Sequence, residues 1–299
     1  MLASHGTFHH VYDFNEFHLP FGIHIKLPEI MGLQLTKYMV LQLVAALLVF
    51  FIFRGLVSKT KGGNPVTGYF WNFWEMLALY VRDNVVRPVI GDPHHHDDHQ
   101  HAHDEVGTYI TDNSGDHAHD GEVGHPADKY LPFLWSCFFF ILFCNLLGAF
   151  PWFGSATANI NVTGALALIA FIATFFYGAQ MHGPIGFWTH MVPAVDAPAP
   201  IKIFLVPMIF VIEAGGLLIK HGVLAVRLFA NIMGGHTVLA VILAFIADAA
   251  TSGAWFIVMP GSLAGQIGVG LLELLVAFIQ AYVFTFLATI FIAMSLHEH

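Results

Sequence analysis

Charged and polar residues recur at every seventh position within two long apolar stretches, residues 203–246 and 262–296. The six residues with this spacing are Glu213, Lys220, Arg227, Gln266, Glu273 and Gln280. On a helix with about 3.6 residues per turn, positions seven apart lie within about 20° of one another, so each set of three forms one polar stripe. An ionisable side chain inside a membrane costs about 2.5–3.5 kcal/mol on insertion scales, which makes each charged member a functional candidate. The stripes predict two packed helices that face a hydrated path or a polar partner.

Other polar residues lie near these stripes or alone in apolar sequence. Asn231 follows Arg227 by four residues and extends its stripe, whereas His236 follows it by nine and falls on roughly the opposite face. Asn145 lies in an earlier apolar stretch. Each asparagine also has a structural interpretation as a hydrogen bond between packed helices, and His236 has one as a satisfied core histidine.

The arginine in the first stripe also has a structural interpretation, as an alternative to a role in transport. Arg227 could form an internal salt bridge, with Glu213 or Glu273 as its partner. A second alternative is a membrane subunit with a purely structural role, but such a subunit would not need two polar stripes in register. The joint pattern on two helices therefore favours ion transport.

The composition is that of a protein with lipid as its main solvent. Of the 299 residues, 57% are hydrophobic and 10% are charged, whereas soluble domains carry about 25% charged residues. The mean hydropathy is +0.68. From residue 203 to the C-terminus the basic residues are Lys220 and Arg227 alone. We therefore expect an all-α integral membrane protein, with no cofactor and no nucleic-acid partner.

Apolar stretches and their breaks predict about five membrane segments and one interfacial amphipathic helix. Residues 22–27 alternate like a short strand. The expected divisions are an N-terminal outer-side segment at 1–37, a first span at 38–54, an interfacial helix on the cytoplasmic side within 55–91, a His- and Asp-rich loop at 92–128, and an ion-channel membrane domain at 129–299.

The last two apolar stretches are too long for ordinary spans. Their 44 and 35 residues would form helices about 66 Å and 52 Å long, whereas the hydrocarbon core is about 30 Å thick. Each stretch must therefore be either broken or strongly tilted. Basic residues cluster at 54–61 and recur at Arg82 and Arg87, so the positive-inside rule predicts an N-terminus outside and a C-terminus in the cytoplasm.

Residues 227–231 read Arg-Leu-Phe-Ala-Asn and resemble the R-L-F-x-N signature of the F-type ATP synthase a subunit family. Glu213 lies fourteen residues before the arginine, where that family has an acid. Gln280 and residues 281–299 are similar to the family's last helix. The resemblance covers most of the chain, from the first span to the C-terminus.

This chain departs from the best-known bacterial members at three places. The positions of His236 and Glu273 carry Glu and His in those members, and this exchange is known within the family, so we expect the two residues to touch. Gly148 stands where some members carry Asp after Asn145. The histidine-rich segment at 92–125 has no counterpart in short members.

The resemblance implies a mechanism and partners. Arg227 would face a ring of c subunits, each with one carboxylate at mid-membrane, and the last two tilted helices would pack against that ring. Arginine stays charged at any physiological pH, so it could keep a ring carboxylate ionised and block a direct proton leak. Further implied partners are the b subunits of the peripheral stalk and the rest of the synthase, in a bacterial plasma (inner) membrane. ATP chemistry would occur in the soluble head, not in this chain.

Two offset half-channels are implied as well. Protons would enter from the outer side near a group of polar residues and leave to the cytoplasm near Glu213. The candidate path residues are Glu213, Asn231, His236, Glu273, Gln280, Asn145 and Lys220. The sequence does not distinguish H⁺ from Na⁺ as the coupling ion.

A secondary metal-ion transporter is the alternative function, with the histidine-rich loop as a metal-sampling segment. Residues 92–125 contain nine His and nine acids and no Lys or Arg. The candidate metal ligands there are His94, His95, His96, His99, His101 and His103. Their spacing matches no closed structural site, so we interpret the segment as a dispensable loop, with metal buffering and pH or metal regulation as alternatives.

Overall fold

The computed structural model describes residues 16–19, 23–30, 33–60, 68–91, 125–150, 154–183, 186, 199–250 and 253–296. Within these ranges the chain is mainly helical. The α-helices are α1 Lys37–Thr60, α2 Tyr69–Val81, α3 Arg87–Ile90, α4 Leu131–Gly148, α5 Ile160–His182, α6 Ala199–Ala249 and α7 Trp255–Leu296. The strands are β1 Glu16–Leu19, β2 Ile23–Lys26, β3 Glu29–Ile30 and β4 Leu33–Gln34. The strand predicted at residues 22–27 is confirmed, because β2 pairs with β1 in an antiparallel hairpin.

Among the residues that the structure describes, five helices, namely α1, α4, α5, α6 and α7, are long and apolar enough to cross a membrane. The chain is a multi-pass membrane protein, and the predicted all-α membrane fold class is confirmed. Of the alternatives for the last two apolar stretches, the broken one is wrong, since each forms one continuous helix. With 51 and 42 residues, α6 and α7 are about 76 Å and 63 Å long, so neither fits upright within a core of about 30 Å.

The helices differ sharply in how much of their surface the fold covers. Helix α4 lies at the centre, packed against α1 and α7. Of its most apolar 18-residue segment, 61% is buried. The corresponding share for α6 is 6%, although α6 packs against both α5 and α7. Helix α6 is therefore peripheral, with a long face left uncovered by the described part of the chain.

Between α1 and α4, the predicted amphipathic helix is present as three joined elements. Helix α2 leads through a π-helical turn at Arg82–Val86 into α3. Trp74 packs its ring against Phe139 and Phe143 of α4, and the indole Nε1 of Trp135 donates a 2.9 Å hydrogen bond to the carbonyl oxygen of Ala78. One face of this segment thus belongs to the helical core, while Tyr69 and neighbouring aromatic residues are exposed.

The base of the histidine-rich segment is closed by an ion pair. Arg87 of α3 donates from Nε and Nη2 to the two carboxylate oxygens of Asp128, at 3.0 and 2.9 Å. Asp128 lies in the 3₁₀ turn Pro126–Tyr130, directly before α4. Residues 92–124, including the six candidate metal-ligating histidines, lie outside the described residues.

The first helix is longer than the expected span, which was placed at 38–54. Helix α1 continues to Thr60, past Arg54 and Lys59. These two side chains are exposed. Long basic side chains near a helix end can extend toward the lipid headgroups. The helix can therefore continue beyond its apolar stretch.

Candidate functional site

The charged stripe of α6 lies on the uncovered face of that helix. Glu213, Lys220 and Arg227 are all exposed, and the apolar side chains around Arg227 are exposed too, with Val226 at 55% and Val223 at 49%. Among the residues that the structure describes, Arg227 has no carboxylate oxygen within 4.0 Å. The alternative interpretation, an internal salt bridge from Arg227 to Glu213 or Glu273, is therefore wrong.

The polar stripe of α7 faces the opposite way, into the contact with α6. Glu273 and Gln280 are 8% and 2% exposed, and Gln266 is half-buried. The two stripes thus differ in kind. The α6 stripe is a row of exposed charges, whereas Glu273 and Gln280 of the α7 stripe are buried in the seam between the helices.

Two residues predicted from sequence are joined across this seam. Asn231 of α6 donates from Nδ2 to Oε1 of Gln280 on α7 at 3.0 Å. Because Asn231 lies one helical turn after Arg227, this bond sits next to the arginine. The Nε2 atom of Gln280 is buried without a hydrogen-bond partner.

Glu273 places its carboxyl group against the backbone of α6. A Cβ atom added to Gly235 would overlap the carboxyl oxygen Oε1 of Glu273, so a larger residue at this position would displace that carboxyl group. That oxygen is buried and has no hydrogen-bond partner. Gly235 directly precedes His236, so Glu273 reaches the turn of α6 that carries the histidine. A side-chain contact between His236 and Glu273 stays a prediction.

A second buried polar group surrounds Asn145 on α4. Asn145 is 1% exposed, and its Oδ1 accepts a 2.8 Å hydrogen bond from Oγ1 of Thr157. The hydroxyls of Ser155 and Thr157 are 2.8 Å apart, and Nδ2 of Asn145 is buried without a partner. The turn at 154–158 packs against α4, α5 and α6, which brings these hydroxyls into the bundle.

The same turn explains the glycine that stands where some members of the resembling family carry Asp. A Cβ atom on Gly148 would lie 2.5 Å from both Cβ and Oγ of Ser155. An aspartate would therefore displace Ser155. The sequence showed the stretch after Pro151 only as a polar break between spans. Ser155 and Thr157 were missed because a connecting turn is expected to lie at the surface.

Glu213 and Lys220 do not join the other candidates. They precede Arg227 by fourteen and seven residues, or about 21 Å and 10 Å along the helix axis. His236 lies beyond Arg227 in the opposite direction. Arg227 thus stands between one polar group toward residue 213 and another toward residue 236.

A buried histidine beside Lys220 was also missed. His221 is 2% exposed, and its ring lies between those of Phe171 on α5 and Phe291 on α7, with centroids 5.3 and 4.6 Å away. Its Nδ1 is 2.9 Å from the carbonyl oxygen of Leu217, while Nε2 is buried without a partner. The heptad spacing gave no signal for it, because His221 is one residue out of register with the stripe.

The helical bundle has buried carboxyl and amide groups in the seam between α6 and α7, and an exposed, unpaired arginine lies beside them. These features define the class of ion-translocating membrane proteins. A family model described as ATP synthase A chain matches residues 105–293. The ATP synthase subunit a of Chloroherpeton thalassium is 34% identical, over 97% of this chain and 76% of that protein. Those of Chlorobium phaeobacteroides and Myxococcus xanthus are each 33% identical, over 97% of this chain and 75% and 88% of their own lengths. The chain belongs to the ATP synthase A chain family, which confirms the family resemblance stated above.

Proposed function

We propose that this chain conducts protons as the a subunit of an F-type ATP synthase, with Arg227 facing the carboxylates of a rotating c-subunit ring. The observation that carries the proposal is the setting of Arg227. It is exposed on an apolar face of α6 and has no acidic partner among the described residues. An unpaired charge in lipid is costly, so this face needs a partner that supplies carboxylates within an otherwise apolar surface.

Arginine suits this position better than lysine. Its planar guanidinium stays charged and presents several donors in a fixed fork, whereas lysine is a point charge that is readily neutralised on burial. A permanent cation attracts a passing ring carboxylate into its ionised form. It also opposes passage of a proton directly between the two half-channels.

The polar groups in and near the seam supply an entry path from the outer side. The proposed path residues are Asn145, Asn231, His236, Glu273 and Gln280. Three of them leave a polar atom buried without a partner, namely Nδ2 of Asn145, Oε1 of Glu273 and Nε2 of Gln280. Buried groups of this kind are commonly satisfied by ordered water, and a chain of water and side chains is what proton transfer requires. Ser155 and Thr157 extend this group beside Asn145.

The exit path runs on the other side of Arg227, near Glu213 and Lys220. Both side chains are exposed on the face that carries the arginine. A proton released from a ring carboxylate that has passed Arg227 would meet these groups next. Their separation along α6 from Asn231 and His236 gives the offset between two half-channels.

The proposed partners are the c ring, the b subunits of the peripheral stalk and the rest of the synthase. Wide apolar surfaces on α6 and α7, with Leu218, Ile219, Leu271 and Leu275 all more than 60% exposed, suit a ring partner and lipid. The bacterial origin of the relatives supports a bacterial plasma membrane. The basic residues after α1 support an N-terminus outside and a C-terminus in the cytoplasm.

Disulfide cross-linking within the assembled complex tests which face of α6 meets the ring. Cys137 and Cys144 are first replaced by alanine, and a cysteine is placed beside the carboxylate of the c subunit. We expect Val226→Cys, on the exposed face, to cross-link to that cysteine. Leu224→Cys is the matched control because Leu224 is 1% exposed. Cross-linking from position 224 and none from 226 would show that another face meets the ring.

Nothing in the described residues favours the metal-transporter alternative, whose candidate ligands at 94–103 lie outside them. In the part of the chain that the structure describes, no three His, Cys, Asp or Glu residues lie close enough together to hold a metal ion.

A further inference from the structure

A groove between α1 and α4, away from the α6–α7 seam, combines an apolar floor with a cationic end. Its volume is about 490 Å³. It is lined by Val49, Phe50, Phe53, Arg54, Val57, Ser58 and Ser136. All but Ser136 come from α1, and Arg54 and Ser58 lie toward the C-terminal end of that helix.

The cation in this groove is uncompensated. Arg54 is exposed and forms no ion pair with any residue in the described ranges. Ser58 follows it by one helical turn, which places both side chains on the same side of α1. The hydroxyl of Ser136 already donates to the carbonyl oxygen of Pro132 at 2.7 Å. Arg54 and Ser58 are therefore the donors that the groove offers to a ligand.

We propose that this groove binds one anionic membrane phospholipid, with its phosphate on Arg54 and an acyl chain along Val49, Phe50 and Phe53. Arginine recognises phosphate through two parallel hydrogen bonds, and the Ser58 hydroxyl supplies another donor. Basic pockets between membrane helices are suited to anionic headgroups. Val49, Phe50 and Phe53 precede Arg54 in α1, so they lie deeper in the membrane than the guanidinium, as the chains of a lipid lie below its headgroup.

Charge complementarity selects this occupant over a protein helix. A helix in the groove would have to bring a carboxylate to the level of Arg54 and bury it there, which is costly in a membrane. A phospholipid already carries its negative charge at the membrane surface, close to the end of α1. The inference does not depend on the proposed proton path, since no residue of that path lines the groove.

Lipid retention by the intact synthase provides the test. The complex is purified with wild-type chain, Arg54→Gln, Arg54→Lys or Lys59→Gln, equilibrated with phosphatidylglycerol, and examined by native mass spectrometry. Lys59→Gln is the matched control: it removes the same charge from the same end of α1, but Lys59 does not line the groove. We expect the wild type and Lys59→Gln to retain one lipid that Arg54→Gln loses, with an affinity loss of at least about tenfold, equivalent to about 1.4 kcal/mol. Arg54→Lys should bind at an intermediate level.

A labelling experiment on the wild-type complex keeps the proposal testable if Arg54→Gln does not assemble. In nanodiscs, photoactivatable phosphatidylglycerol should label residues 49–58 more strongly than a phosphatidylcholine probe does. Equal labelling by the two probes, unchanged retention in Arg54→Gln, or equal loss in Arg54→Gln and Lys59→Gln would overturn the proposal. Loss of a b subunit from Arg54→Gln with its lipid count unchanged would assign the groove to a protein partner instead.

Discussion

Asn231 and Gln280 form a 3.0 Å hydrogen bond that joins α6 to α7 one helical turn after Arg227. Gln280 is 2% exposed, so water cannot freely replace its partner. The bond links the two long helices at the level of the arginine, and it lies within the proposed entry path. Structural and transport roles of this pair can be separated by substitution.

Replacing Asn231 alone should be worse for stability than replacing both partners. Asn231→Leu leaves Oε1 of Gln280 buried and unpaired, which costs about 1–3 kcal/mol. Asn231→Leu with Gln280→Leu removes both polar groups and should recover much of that stability, while proton transport stays low. Thermal inactivation of the complex and ATP-driven acidification of inverted vesicles measure the two effects. Recovery of transport in the double variant would show that the pair is only a structural contact.

A side chain at Gly235 should move the carboxyl group of Glu273, because a Cβ atom there overlaps that group. We expect Gly235→Ala to displace that carboxyl and to lower ATP-driven pumping at least about tenfold, on the scale of a misplaced reacting group. Gly234→Ala is the control on the same helix, since a Cβ at Gly234 meets nothing within 4 Å. Equal effects of the two variants would mean that helix flexibility matters here, rather than the position of Glu273.

His236 and Glu273 should act as a coupled pair. Glu273 lies against the residue that precedes His236, so each neutral single substitution should impair pumping. The exchange His236→Glu with Glu273→His should restore part of it, because the same two groups would then face each other from opposite helices. Comparing the acidification rates of the single and exchanged variants tests whether the two residues are coupled. A double variant no better than the worse single one would contradict the pairing.

The histidine-rich segment should be dispensable for assembly, because Arg87 and Asp128 hold its base together. We expect deletion of residues 94–124, closed by a short Gly/Ser linker, to leave pumping between pH 6 and 8 unchanged, with or without a chelator. His125 is kept because its Nδ1 accepts a hydrogen bond from the backbone nitrogen of Ala127.

A matched variant distinguishes the effect of the loop from that of the Arg87–Asp128 ion pair at its base. Asp128→Asn in the deleted chain should weaken assembly, because it removes the charge that pairs with Arg87. Histidine titrates near pH 6.5, so a loop that regulates the enzyme would change the pH profile on deletion. A lost pH or metal response in an assembled complex would show that the segment is regulatory.

The long helices and their stripes could be predicted because apolar length and heptad spacing survive any packing arrangement. The spacing placed Glu213, Lys220 and Arg227 on one face of α6, and the structure has all three exposed. It could not show that the α7 stripe faces inward while the α6 stripe faces outward. That difference depends on which neighbours cover each helix.

The groups that sequence reasoning missed are those that depend on contacts between distant segments. Thr157 reaches Asn145 only because the turn at 154–158 is folded into the bundle. His221 falls between Phe171 and Phe291, which come from two other helices. Neither residue has a periodic signal, and both have ordinary surface or core interpretations when the sequence is considered alone.

We propose that Arg227 is the fixed cation of the proton path. The most direct measurement of this role is ATP-driven acidification of inverted vesicles that carry Arg227→Ala in a fully assembled synthase. We expect no acidification and no proton-driven ATP synthesis. We expect poor function for Arg227→Lys and near-normal function for Val226→Ala, a change to an apolar neighbour on the same exposed face. Normal acidification by assembled Arg227→Ala complexes would show that Arg227 does not have this role.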